Sequence, residues 1–185
     1  MPEPTTSPGT STHAALVQAA RQLDLGLCQL FNRANRRHHV GRFFALVSRL
    51  GDGLFWYSLM AMLPLLFGLE ALRASLHMLL TGLVCLVVYK LLKQSTSRPR
   101  PFLASSAIFR TVPPLDQYSF PSGHTLHAVA FSVVVLAWYP QLFWLVVPFT
   151  ALVAASRLVL GLHYPSDVLA GAAIGGGIAW LALQI

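Results

Sequence analysis

Five apolar segments, at residues 54–69, 74–92, 123–139, 142–160 and 168–185, constrain this chain more than any other feature of its sequence. Each is near the ~17–25 residues that a helix needs to cross a hydrocarbon core. Hydrophobic residues make up 55% of the chain and charged ones 10%, against about 25% charged in an average soluble domain. The segments carry no internal repeat and no sign of a second core. The expected fold is therefore all-α: one multi-pass transmembrane helix bundle over residues 14–185, with about five spans.

The flanks differ in kind. Residues 1–13 are rich in Pro, Ser and Thr, lack an apolar run and do not resemble a cleavable signal peptide, which predicts a mobile tail. From 14 to 32 the residues Leu16, Ala19, Ala20, Leu23, Leu27, Leu30 and Phe31 recur at helical spacing, while Gln18, Arg21, Gln22 and Asp24 interrupt any hydrocarbon span. This pattern predicts an amino-terminal helix lying in the interface. Arg33, Arg36, Arg37 and Arg42 then form a basic collar, residues 43–50 suggest a second short interfacial piece, and Gly51-Asp52-Gly53 breaks it. In the last apolar segment Gly171 and Gly175 are spaced for close helix packing.

The connections are unequal. The turns at 70–73 and 140–141 are minimal, whereas 94–120 is long and carries Pro99, Pro101, Pro113 and Pro114, which exclude a continuous helix. Lys93 ends the second span, Ser122 begins the third, and residues 156–167 join the fourth to the fifth. Counting crossings puts all three on one membrane face.

That face holds the chemistry. Lys93, Arg98, Arg100 and Arg157 are cations, His124, His127 and His163 are acid, base or nucleophile candidates, and Asp167 is a carboxylate. Ionisable groups beside hydrocarbon are expensive and are read as paired and functional. Cations in excess of carboxylates call for an anion, and planar Arg forks suit phosphate oxygens. Pro121-Ser122-Gly123-His124 opens a helix, so its first-turn amides, unobstructed at Gly123, offer an anion cradle. His163 stands four residues before Asp167, close enough for the carboxylate to hold one ring nitrogen, which makes His163 the candidate nucleophile and leaves a second imidazole to protonate the leaving oxygen. Surplus cations repel a metal, so no metal or cofactor is expected. The whole chain carries 13 Lys and Arg against 6 Asp and Glu, a net +7. Most of this charge sits at membrane boundaries and forms no stripe interleaved with exposed aromatics, so lipid or phosphate is the expected partner and nucleic acid is not. Cys28 and Cys85 lie in unlike contexts and read as packing residues.

Lys93, six residues, Arg100-Pro101; Pro121-Ser122-Gly123-His124; Ser156-Arg157, five residues, His163, three residues, Asp167: this order and spacing resembles the three-part signature of the type 2 phosphatidic acid phosphatase superfamily, which also contains vanadium haloperoxidases. The resemblance spans Lys93 to Asp167, with every motif position occupied. It implies a metal-independent phosphatase in which His163 forms a phosphohistidine, Asp167 supports it, and His124 acts as general acid and then activates water. Lys93, Arg100, Ser122, Gly123 and Arg157 would hold the phosphoryl oxygens. The implied substrate is a lipid phosphate or diphosphate such as phosphatidic acid, phosphatidylglycerol phosphate or polyprenyl diphosphate; the alternative is a membrane binder or transporter of phosphorylated lipids that does not hydrolyse them. Many membrane members have six spans where five are expected here. Arg33, Arg36, Arg37, Arg42 and Arg49 fall on the active-site face, which by the positive-inside rule points to the cytoplasm. The resemblance implies the plasma membrane with the site on its outer or periplasmic face.

Overall fold

The computed structural model describes residues 8–185, with side chains from Thr12 onward. Every regular element among them is helical: α1 (Pro8–Asn32), α2 (His38–Arg49), α3 (Phe55–Phe67), α4 (Leu72–Thr96), the single turn α5 (Pro101–Ala104), α6 (Gly123–Trp138), α7 (Phe143–Val159) and α8 (Pro165–Ala182). The expected tail at 1–13 lies partly outside the described residues; within them, α1 already begins at Pro8.

Helix α6 is the axis of the bundle. Leu126, Ala128, Ala130, Val134 and Val135 are buried around its circumference, the signature of a helix enclosed by other helices. It packs on α8, where Gly171 and Gly175 admit its backbone: a Cβ on Gly171 would stand 2.6 Å from the Ser122 carbonyl oxygen, and one on Gly175 would collide with that of Leu126. Such contact between backbones drives helix association in lipid, where apolar side chains gain little by leaving the bilayer. On another side α6 meets α7 through a hydrogen bond between the Ser132 and Thr150 hydroxyls, 2.6 Å. Trp56, Phe131 and Phe149 fill the space between α3, α6 and α7.

Outward faces are apolar. Leu65 and Leu66 of α3, Leu83 and Val87 of α4, Trp144 of α7 and Leu169 of α8 are exposed, as lipid-facing positions require. Three helical stretches, His38–Phe67, Leu69–Ala104 and Pro140–Val159, are long and apolar enough to cross a membrane. The shorter α6 is apolar as well, with 16 residues, and α8 has 18. The protein is a membrane protein. The piece expected to lie in the interface before Gly51 falls in α2, which packs along α7 and joins α3 across a kink.

Helix α1 caps the end of the bundle that carries the long loop. Its inner side is fastened: the Asn32 amide donates to the carbonyls of Phe109 and Val159, each at 2.8 Å, and its oxygen accepts from the Phe109 amide at 2.7 Å. Its other side exposes Leu16, Leu23 and Leu30, which at seven-residue spacing form one apolar stripe.

Candidate active site

The end capped by α1 holds a cavity of about 190 Å³, lined among others by Asp52, Tyr89, Lys93, Arg100, Asp116, Gly123, His124, His127, Arg157 and His163. Five chain segments deliver them, with Asp52 coming from the kink between α2 and α3. Lys93 sits in the last turn of α4, and Arg100 is the residue before the α5 turn, both buried. Gly123 and His124 open α6. Arg157 is in the last turn of α7, after which Gly161, in the left-handed region at φ +68°, turns the chain so that His163 comes round into the site.

His163 is buried, with its Nε2 3.4 Å from an Arg100 nitrogen and its Nδ1 3.6 Å from Asp167 Oδ2. The Asp167 contact is longer than a hydrogen bond. Burial pushes the His163 imidazole well below the ordinary histidine range, and Arg157, Arg100 and Lys93 push it the same way. The ring is therefore neutral at neutral pH, the state a nucleophile needs. Arg157 is buried, donates to the Ser48 hydroxyl and leaves its Nε without an acceptor among the protein atoms. A buried donor of this kind calls for an anionic acceptor.

Ser122 is placed differently from its motif neighbours. Its amide donates to the Asp167 carbonyl at 3.0 Å and its hydroxyl pairs with Thr125 at 2.9 Å. It ties α6 to α8 behind the site, and the first-turn amides that follow it are the ones left free by helix geometry. His127 donates from Nδ1 to the Gly123 carbonyl, 2.8 Å, and packs edge-on to Tyr89.

Comparison with known proteins bears on this arrangement. The family model described as "PAP2 superfamily" matches residues 70–185, which contain all three motifs. The chain belongs to the PAP2 superfamily. It is 29% identical over 140 residues to an undecaprenyl-diphosphatase of Sulfolobus acidocaldarius, covering 75% of this chain and 67% of that protein. It is 35% identical over 114 residues to the undecaprenyl-diphosphatase BcrC of Bacillus subtilis, covering 61% and 58% respectively. Among solved structures, Aquifex aeolicus LpxE superposes with a TM-score of 0.77 at 27% identity, covering 88% of this chain and 96% of that one.

Within this PAP2 chain, acids outside the motifs complete the site. Asp116 Oδ1 lies 2.5 Å from Lys93 Nζ and 2.6 Å from an Arg100 nitrogen. Burial alone would raise its proton affinity, but the two cations prevail and hold its carboxyl below the usual carboxylate range. Its signal in the sequence is that it is the lone acid of the 94–120 loop. Arg98 turns away from the cavity: it donates to Asp167 Oδ1 at 2.6 Å, Asp24 Oδ2 at 2.7 Å and the Ser166 hydroxyl at 2.7 Å, with the Tyr164 ring stacked 4.0 Å from its guanidinium carbon. Asp24, from α1, also accepts from the Ser166 amide and hydroxyl. Asp167 thus has its strongest partner in Arg98. Asp52 stands beside His124, 3.3 Å from its Nε2.

Proposed function

We propose that this protein hydrolyses a lipid phosphate or diphosphate without a metal, through a phosphohistidine on His163. The observation that carries this is the convergence of Lys93, Arg100 and Arg157, three buried cations from separate segments, on one cavity with a neutral imidazole. Phosphoryl transfer needs little covalent help from the protein beyond positioning and charge. Lys93, Arg100, Arg157 and the Gly123 amide hold the phosphoryl oxygens, while Ser122 anchors the helix that presents that amide. Nε2 of His163, the nitrogen facing Arg100 and the cavity, attacks phosphorus. Asp167 supports the other side of the ring. The bond from phosphorus to the leaving oxygen breaks, and His124 supplies the proton. Water then attacks the phosphohistidine, giving its proton to His124, and inorganic phosphate leaves.

The names of the two curated relatives make polyprenyl diphosphate the first substrate to test, beside phosphatidic acid and phosphatidylglycerol phosphate. The lipid tail stays in the bilayer while its headgroup enters the cavity. We place the protein in the plasma membrane with the site on the outer or periplasmic face. Purified protein in detergent and chelator is expected to release inorganic phosphate from at least one of these lipids, and His163→Ala to release none. Absence of release across the panel, or undiminished release by His163→Ala, would overturn the reading.

A further inference from the structure

A general acid must hold a proton until the leaving oxygen takes it, and His124 is asked to do so in a cavity that it shares with Lys93, Arg100 and Arg157. Burial and neighbouring positive charge disfavour an imidazolium, and a carboxylate within a few ångströms favours it. Most acids at this end of the molecule are committed elsewhere. Asp116 is shared by Lys93 and Arg100, and Arg98 takes both Asp167 and Asp24. Asp52 is the carboxylate that faces His124, with Oδ1 3.3 Å from Nε2.

The backbone around Asp52 is shaped to put it there. α2 and α3 are joined by a kink in which Asp52 leaves helical geometry (φ −78°, ψ 15°) and Gly53 adopts φ +124°, a conformation that side-chain-bearing residues rarely take. Gly51 is pressed on α7: a Cβ there would stand 2.7 Å from a Val153 methyl. A straight helix through this segment would lack the kink at Asp52 and Gly53, both of which line the cavity beside Gly51. The Gly-Asp-Gly sequence therefore does more than end one helix and start another.

We propose that Asp52 is a positioning residue for the reaction, whose carboxylate aims His124 at the leaving oxygen and favours its imidazolium against the cations around it. This rests on the hydrolytic function proposed for the same site. In the first half-reaction His163 bonds to phosphorus, the phosphorus–oxygen ester bond breaks, and the oxygen departs with the proton of the His124 imidazolium, leaving a neutral ring beside Asp52. In the second, water bonds to phosphorus, its proton returns to His124, and the phosphorus–nitrogen bond breaks. Asp52 itself neither gains nor loses a proton.

Leaving-group dependence tests the role. An alkoxide needs a proton to depart and nitrophenolate does not, so a defect in the acid shows on the first ester and is silent on the second. In the full-length protein, Asp52→Asn is expected to slow single-turnover phosphoryl transfer from octyl phosphate by about 100-fold. The nitrophenol burst from p-nitrophenyl phosphate should stay near the parent rate, and Asp52→Glu should recover most of the lost rate. In a His124→Asn background, Asp52→Asn should add no further loss, since the two act as one unit. Equal losses on both esters, no loss on either, or additive losses in the double variant would overturn the assignment of Asp52. Should Asp52→Asn not fold, Asp52→Glu and the His124→Asn ester comparison still decide it: an equal effect on both esters overturns it. Octyl phosphate turnover surviving in His163→Ala would instead overturn the phosphohistidine mechanism itself, and this role with it.

Discussion

Lys93 Nζ and an Arg100 nitrogen contact the same Asp116 oxygen, so an incoming phosphoryl group meets cations that already share a carboxylate. Asp116 is one-third exposed on a loop, while both cations are buried. The solvent-facing partner in this trio is the acid. A phosphoryl oxygen that takes its place exchanges one anion for another, and the carboxylate then competes with the substrate. Asp116→Asn removes the competing charge and keeps the shape, so inorganic phosphate and vanadate should inhibit the variant about tenfold more tightly, equivalent to ~1.4 kcal/mol. Inhibition constants measured against the parent check this, and weaker inhibition would mean that Asp116 holds the cations in place for the phosphate. The motif residues were legible in the sequence because their spacing within single helix ends fixes them locally. Asp116 and Asp52 were not, since each is a lone acid in a break between helices and reaches the site only through packing of distant segments. The partners of Ser122 were hidden for a related reason: its amide donates to the Asp167 carbonyl from another helix and its hydroxyl pairs with Thr125.

The elements meet at Arg98, which follows the left-handed Ser97 that ends α4. Its guanidinium holds a carboxylate of α1 on one side and a carboxylate and hydroxyl of α8 on the other. Asp167 is fully buried, and a buried carboxylate stripped of its partner is costly. Arg98→Ala is expected to destabilise the protein by about 3 kcal/mol, lowering the thermal unfolding midpoint in detergent. Arg98→Lys should fall between parent and Ala, because an ammonium keeps the charge but not the fork that spans two carboxylates. If both variants unfold like the parent, the remaining anchors of α1, the Asn32 hydrogen bonds and the Asp24–Ser166 pair, suffice to hold it. Apolar run length revealed α4, α6, α7 and α8 to within a few residues, since nothing in those segments competes with the helix. The union of α2 with α3 was hidden by the two glycines, which in sequence look like a terminus and in the structure form a kink. The docking of α1 was hidden because its anchors, Asp24, Cys28 and Asn32, are spaced by four residues along an otherwise ordinary amphipathic pattern.

Of the six acids in the chain, four are gathered at the cavity end. The six are Glu3, Asp24, Asp52, Glu70, Asp116 and Asp167; Asp24, Asp52, Asp116 and Asp167 surround the cavity or its support, and Glu70 pairs with Arg73 in the turn between α3 and α4. The two ends are joined by α4, whose 25 residues extend ~37 Å at 1.5 Å per residue, more than the ~30 Å of a hydrocarbon core. Glu70 and the loop that follows Arg100 therefore report opposite faces of the membrane. Arg33, Arg36, Arg37, Arg42 and Arg49 lie toward the cavity end, and as topogenic charges they would hold that end in the cytoplasm. Arg33 and Arg36, though, belong to a short turn that is fastened to the loop by Asn32 and Asn35, which gives the collar a folded role independent of insertion. Cys28 and Cys85 are both buried, so a single introduced cysteine reports by itself. With an impermeant maleimide on intact cells, Ser106→Cys is expected to label and Glu70→Cys to label only after permeabilisation. The reverse pattern would put phosphate release on the cytoplasmic side and make the arginine collar the determinant of topology.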